Sequence, residues 1–357
     1  MGNARRRHGL QACFRRTRAA ALLPVLLLCA AAAGGHEQSP EAGGPERPVF
    51  REIWAYLLRG EEAELTASEP ITDLCYFGLN LARNGRLAEM VARPRVVLQN
   101  GRRPAVHLVI AELTNQALMH FSLSPQYGVR PLLVEDIRRA AEGFDGVQID
   151  FEAVSRDDAD LFADFLKELR GSLPAGKRLS VAVPARTEPV AADAYDYARI
   201  GPLVDRLVIM AYDEHWSTSS PGPVASLPWC AKVVDHARRV LARDKIVMGL
   251  PLYGRAWPDK RLSRALRFRA VQDLVAEKQG SPGYAPELGA HFEYAENVLV
   301  KVFYDDERSL LDKLRLYRAR EVDSVSFWRI GQGPPGLWGS IGSSGPGREP
   351  PAGGPAR

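Results

Sequence analysis

The chain has 357 residues, 46% hydrophobic, 25% charged and 8% aromatic, a balance that excludes a disordered, collagenous or disulfide-stapled protein. Its formal charge of +4 comes from the first 33 residues, where six arginines meet no acid; the remainder carries 41 basic residues against 43 acidic, a net of −2. Such a chain has no overall field to draw it to nucleic acid or to an anionic membrane, so nucleic acid is not an expected partner.

Behind the basic leader lies one apolar run, 19–33, interrupted by Pro24. At ~1.5 Å per residue it reaches about 22 Å, short of the ~30 Å hydrocarbon core of a bilayer. Basic leader, short apolar run and the small residues Ala31, Ala32 and Ala33 before Gly34 have the form of an export signal over residues 1–33. The mature protein is therefore expected outside the cytoplasm (secreted, periplasmic or surface-attached), with a single-span anchor as the alternative. Cys29, after Leu26-Leu27-Leu28, also forms a loose lipoprotein site, and lipidation there is the one route that would make the membrane a partner. Arg15-Arg16 admits a twin-arginine reading, though its flanking residues fit poorly. Removing the leader leaves two cysteines, Cys75 and Cys230, far apart in apolar settings and without a metal spacing. They read as buried free thiols, with one disulfide as the alternative.

Residues 34–48 read as a polar Gly/Pro linker and residues 332–357 as a disordered Gly/Pro tail, since neither offsets its ordering entropy by apolar burial. Between them, 49–331 reads as one domain. β-Branched and aromatic runs predict strands at 53–57, 74–79, 106–110, 147–151, 179–183, 207–211, 246–250 and 325–328. Amphipathic helices fall between them at 132–141, 156–170, 228–241 and 309–320. The clearest is 156–170, with Ser155 expected at its N-cap and Gly171 at its end. Eight strands alternating with helices predict an α/β fold, a single (β/α)₈ TIM barrel, with a doubly wound sheet as runner-up. Residues 257–300 predict a short excursion before the last strand, over the barrel's C-terminal face.

The segment Phe144-Asp145-Gly146-Val147-Gln148-Ile149-Asp150-Phe151-Glu152 breaks the apolar pattern. Side chains alternate along a strand, so Val147, Ile149 and Phe151 should face the helices, and Gln148, Asp150 and Glu152 the barrel axis. Burying two carboxylates costs several kcal/mol unless they are paired, a cost folds tolerate mostly at active sites. Barrel enzymes keep their chemistry at this C-terminal end of the strands.

These residues resemble family 18 glycoside hydrolases, the chitinases and their relatives. That family carries Asp-x-x-Asp-x-Asp-x-Glu on this strand, matched here by Asp145, Gln148, Asp150 and Glu152, with an amide at the second position. Met210-Ala211-Tyr212-Asp213 and Met248-Gly249-Leu250-Pro251-Leu252-Tyr253-Gly254 are similar to the family's sixth- and seventh-strand blocks, and Trp328 to the tryptophan closing its eighth strand. The pattern is most similar to the compact chitobiase-like and spore-cortex-lysin-like subgroup, which lacks the large insertion of many chitinases. The resemblance implies cleavage of β-linkages at N-acetylglucosamine residues, in chitin, peptidoglycan or N-glycans, with retention and without metal or cofactor. The partner it implies is an oligo- or polysaccharide containing N-acetylglucosamine. Glu152 would be the general acid and then base, Asp150 would bind the substrate's acetamido N–H, and Tyr212 would orient the acetamido oxygen that attacks in place of a protein nucleophile. Asp213 would help fix the sugar ring and Trp328 would floor the site. Gln148 cannot take up charge, so Asp150 is expected to ionise more readily than in the family. Some relatives are non-catalytic glycan-binding barrels; the presence of Glu152, Asp150 and Tyr212 favours the enzyme.

Several aromatics at or beyond predicted strand ends, Tyr56, Trp216, Tyr253 and Trp257 among them, are candidates for stacking on sugars, against ordinary aromatic packing. Asp213-Glu214-His215 cannot easily converge on a metal. His107, in mid-strand, reads as a satisfied core histidine, and Arg255 as either a substrate contact or the partner of an acid.

Overall fold

The computed structural model describes residues 46–99, 101–258, 263–295 and 299–344. In chain order these form β1 (Val49–Phe50), β2 (Glu52–Leu58), β3 (Asp73–Asn80), β4 (Ala105–Glu112), α1 (Gln116–Leu123), α2 (Arg130–Ala140), β5 (Gly146–Phe151) and α3 (Ala159–Ser172). There follow β6 (Arg178–Pro184), α4 (Tyr197–Ile200), β7 (Arg206–Met210), α5 (Leu227–Val240), β8 (Ile246–Pro251), β9 (Tyr253–Pro258), β10 (Arg264–Arg267) and α6 (Phe268–Glu277). The chain then makes β11 (Gly283–Ala285), β12 (Gly289–Ala295), β13 (Leu299–Tyr304), α7 (Glu307–Ala319), β14 (Ser324–Trp328) and β15 (Gly342–Ser343). Eight parallel strands close into a barrel in the order β14-β2-β3-β4-β5-β6-β7-β8, so the TIM barrel replaces the doubly wound alternative. All eight predicted strands are present, within a residue or two of their expected ends.

The alternation along β5 works as the sequence requires. Val147, Ile149 and Phe151 join the large core, where the Phe151 ring lies 5.6 Å from Phe165 and 6.3 Å from Phe162 on α3. Gln148 and Asp150 turn the other way and are buried. Helix α3 differs from expectation at both ends: residues 156–158 form a 3₁₀ turn, and the helix continues through Gly171 to Ser172. The hydroxyl of Ser155 caps no amide, because it donates to Asp158 Oδ2 at 2.8 Å.

The expected excursion before the last strand is present after β8 and carries a sheet of its own, ordered β10-β9-β13-β12-β11, with α6 and a separate core built on Val271, Phe292, Val302 and Tyr304. One expectation needs correction. The expected disordered tail is ordered to residue 344. Leu337 and Ile341 are fully buried, Trp338 stands edge-on to Phe327 at 5.1 Å, and β15 pairs in parallel with β1. The remainder of the tail, the export signal at 1–33 with Cys29, and all but the last three residues of the linker lie outside the described residues.

The barrel's N-terminal end is closed by paired charges. Arg206 forks onto Glu52 at 2.6 and 2.9 Å, and Arg178 donates to Asp73 Oδ1 at 2.9 Å. His107 Nε2 lies 2.8 Å from that same oxygen, and its ring stacks on Trp54, whose indole N–H donates to Glu52. His107 is thus buried as expected but only half satisfied, for Nδ1 has no partner among the described residues. Cys75 and Cys230 are buried free thiols.

Burial works to raise the pKa of Glu52, but the hydrogen bonds and charge of Arg206, then Arg178, bring it from 4.5 down to about 2. A carboxylate with a depressed pKa stabilises the fold above its unfolded value, here by about 3 kcal/mol, and loses that contribution as pH falls through its folded value. Glu52→Gln should therefore be less stable than wild type to urea at pH 7, and the gap should close as pH drops from about 4.5 toward 2.

Candidate active site

The C-terminal ends of the barrel strands open into a cleft of about 700 Å³. Strand ends and the loops after them supply its wall, including Tyr56, Phe77, Leu113, Asp150, Glu152, Arg186, Tyr212, Asp213, Tyr253, Arg255 and Trp328. A second wall comes from the insertion, through Ala265, Leu266 and Arg267 on β10. Seven of the expected site residues therefore meet in one place: Tyr56, Asp150, Glu152, Tyr212, Asp213, Tyr253 and Trp328.

Four others do not. Asp145 precedes β5 at the opposite end of the barrel, bonding Arg93 at 2.6 Å and the amide of Val106 at 2.9 Å. It is a structural acid, since strand register separates it from the cleft by the length of β5. Gln148 is fully buried beneath Asp150, with its amide donating to Ser180 Oγ at 3.3 Å and reaching the Tyr56 hydroxyl. Trp257 is fully buried and cannot stack on a sugar; its indole N–H donates to the carbonyl of Ser219 at 3.2 Å, propping the loop after β7. Trp216 stands on that loop, half exposed, with its indole N–H on Thr218, outside the cleft wall.

The loop bearing Glu152 is fixed by its backbone. The Glu152 amide donates to the carbonyl of Glu112 at 2.8 Å. The Tyr195 hydroxyl donates to the Phe151 carbonyl at 2.8 Å and accepts from the Val154 amide at 3.0 Å, stapling the peptides on either side. No local motif marked Tyr195 beforehand, because it reaches β5 from the far side of β6.

Asp213 is held in the left-handed region, φ 58°, where aspartate is one of the few non-glycine residues that fits. Its Oδ1 accepts from the Tyr253 hydroxyl at 2.6 Å and from Arg255 Nη2 and Nε at 2.9 and 3.1 Å. Arg255 is thus the partner of an acid. Tyr212 packs against the backbone of Gly249, where a Cβ would lie 2.8 Å from the carbonyl of Ile209 and 3.1 Å from the Tyr212 ring. Trp328 is wedged edge-on between Tyr56 and Phe77, at 5.1 Å from each ring.

The electrostatics follow from burial without compensation. Asp150 is buried, its Oδ1 has no hydrogen-bond partner among the described residues, and burial followed by the charge of Glu152 pushes its pKa up to about 8. Gln148 adds no charge to this environment, so desolvation and Glu152 are what raise Asp150 above its ordinary value. Burial, then the charge of Asp213, raises Glu152, although cleft water reaches its carboxyl. Tyr212 is raised well above its ordinary value by burial, so its hydroxyl is a standing donor. Among the described residues, no group of three or more His, Cys, Asp or Glu is placed to hold a metal.

A barrel with these carboxylates at the mouth belongs to a known class of glycosidases. Residues 133–333 match the profile Glycosyl hydrolases family 18, and the chain belongs to that family. It is 31% identical over 295 residues to Bacillus subtilis YdhD, spanning 75% of this chain and 68% of that one. It is 29% identical over 299 residues to the cortical fragment-lytic enzyme of Bacillus subtilis, spanning 78% and 69%. Among solved structures, the chitinase of Chromobacterium violaceum superposes with a TM-score of 0.72 at 25% identity, over 82% of this chain and 98% of that one. The spore cortex-lytic enzyme SleL of Bacillus cereus shares the fold at a TM-score of 0.74 and 24% identity, over 86% and 78%.

A general acid with a raised pKa stays active to higher pH, and Asp213 contributes to raising Glu152. Asp213→Asn, which keeps a residue suited to the left-handed backbone, should lower the Glu152 pKa and, where Glu152 acts as the acid, move the alkaline limb of the pH–rate profile to lower pH.

Proposed function

We propose that this glycosidase hydrolyses β-linkages at N-acetylglucosamine residues by substrate-assisted catalysis with retention. The observation that carries the reading is Asp150: a buried carboxyl at the cleft wall with one oxygen unpartnered and no cation beside it among the described residues. Such an oxygen is costly unless a ligand supplies the donor, and the acetamido N–H of an N-acetylated sugar is a donor of the right kind. Binding it stabilises ionised Asp150 and positive charge developing on the acetamido carbon. Tyr212 donates its hydroxyl to the acetamido oxygen and aims it at the anomeric carbon, replacing a protein nucleophile. Glu152, whose pKa its surroundings raise, delivers a proton to the leaving glycosidic oxygen and then takes one from the incoming water. Trp328 offers an aromatic face to the sugar ring, and Asp213 one carboxylate oxygen to a hydroxyl.

The first substrate to try is a glycan strand of peptidoglycan. Relatives named for cortical fragments align over more of this chain than the endochitinases do: 78% for that of Bacillus subtilis against 53% for that of Caenorhabditis elegans. Chitin oligosaccharides are the second, supported by the likeness to the Chromobacterium chitinase. The leader at 1–33 supports export of the mature chain toward such substrates. Glu152→Gln should lower turnover on the substrate that is cleaved by about 10² to 10⁴ while leaving binding of a thiazoline mimic of the cyclised intermediate within a few-fold. Equal turnover of wild type and variant would remove Glu152 from its role, and failure of the thiazoline to inhibit would remove the acetamido group from attack.

A further inference from the structure

In an eight-stranded barrel, strands four steps apart lie across the lumen from one another. β5, which delivers Glu152, is four steps from β14, which delivers Trp328, in either direction around the ring. The line from Glu152 to Trp328 is therefore a diameter of the mouth. On the reading given above, the leaving oxygen sits at Glu152 and the cleaved sugar over Trp328. Travel along that line beyond Trp328 is travel toward the non-reducing end of the chain.

That end of the cleft is obstructed. Arg267, at the close of β10, reaches from the insertion to the loop after β2, donating to Glu64 at 2.8 Å and Glu61 at 3.1 Å. Glu61 also pairs with Arg329, the residue after Trp328. The Phe268 amide donates to the carbonyl of Gln332 at 2.7 Å, joining the insertion to the loop after β14. Gly331 has φ 80°, and a Cβ there would come within 2.6 Å of Glu64, so that loop lies directly against the loop after β2. Glu62 is tied down by the Tyr76 hydroxyl at 2.6 Å. Three segments distant in sequence thus form one cross-linked strap behind Trp328, and Arg267 and Gln332 of the strap face the cleft. Across the mouth, on the side of Glu152, the lining carries no comparable cross-links between distant loops among the hydrogen bonds of the described residues: Leu113 is half exposed, and the Arg186 guanidinium bonds only within its own loop, to Asp193 at 2.7 and 3.0 Å.

We infer that the strap makes the cleft blind on its non-reducing side, so that the enzyme trims N-acetylglucosamine-containing chains from the non-reducing end and releases a short product of fixed length. The inference rests on the proposed chemistry, which sets the direction of the chain, but its own content is the position of the cut. The strap is a specificity device. A glycan threads its end against Arg267 and Gln332, while the remainder leaves over the open side.

The test uses a hexasaccharide of β-1,4-linked N-acetylglucosamine carrying a fluorophore at its reducing end, sampled at early times with wild type, Arg267→Ala and Arg267→Lys. The expected wild-type result is one unlabelled short product and a labelled series shortened by that same step. Arg267→Ala, which removes both bonds to the loop after β2 at a partly exposed site, should raise the proportion of longer unlabelled products by about tenfold, and Arg267→Lys should restore most of the wild-type pattern. Labelled products of every length from wild type at the earliest times would overturn the blind end while leaving the chemistry standing. An unchanged pattern in a folded Arg267→Ala, judged by its melting temperature, would overturn the strap as its cause. No cleavage of this substrate or of peptidoglycan strands by wild type would overturn the proposed chemistry, and the inference with it.

Discussion

The structure depends on how one narrow lumen treats charge at its two ends. At the N-terminal end, Glu52 and Asp73 each meet a guanidinium, and Glu52 sits far below its ordinary pKa as a result. At the C-terminal end, Asp150 meets no cation among the described residues and is driven upward to about 8 by burial and by its neighbour Glu152. Within one barrel, a carboxyl is drawn toward ionisation at one end and away from it at the other. A paired buried carboxylate contributes to stability, whereas an unpaired one stores a cost that a ligand can relieve. The floor is therefore the stable part of the molecule and the mouth the reactive part, as the division of conserved roles in TIM barrels leads one to expect.

The residues around Asp150 keep that cost from being relieved by the protein itself. Gln148 places an amide below it, but directs its donor toward Ser180 and Tyr56. Arg255 also lines the cleft, and Asp213 takes up its guanidinium through a single oxygen that the Tyr253 hydroxyl shares. Asp213 so held leaves its negative charge acting on Glu152. A guanidinium free to swing toward Asp150 or Glu152 would favour the ionised form of both. Tyr253 and Arg255 thus act on the charge around Glu152 through Asp213.

The barrel was legible because its strands are short runs of β-branched residues with period-two alternation, and the carboxylates were legible because they interrupt that alternation on one face. Depth along the strand was less so. Asp145 shares the spacing of the motif but falls at the other end of β5, where Arg93 and the Val106 amide claim it. Trp257 at a strand end looks the same whether it stacks on sugar or packs inside, and only the fold shows it fully buried. The C-terminal segment was hidden by its glycines and prolines, among which Leu337 and Ile341 are sparse anchors that gain burial only once the barrel is built. The height of the Asp150 pKa was hidden for a different reason: desolvation dominates a fully buried acid, and burial depth is not written in the motif.

The insertion illustrates what no local reading can reach. Its strands are short and partly exposed, so their pattern is weak, and its contribution to the cleft depends on Arg267 meeting Glu61 and Glu64 about two hundred positions away. Each of those pairs, half exposed, is worth little to stability. Their effect is on shape, since together with the Phe268–Gln332 bond they hold two barrel loops and the insertion at one edge of the mouth. A barrel of fixed floor and fixed acid can in this way acquire a different cutting position by changing a few surface charges, with no alteration to the groups that perform the chemistry.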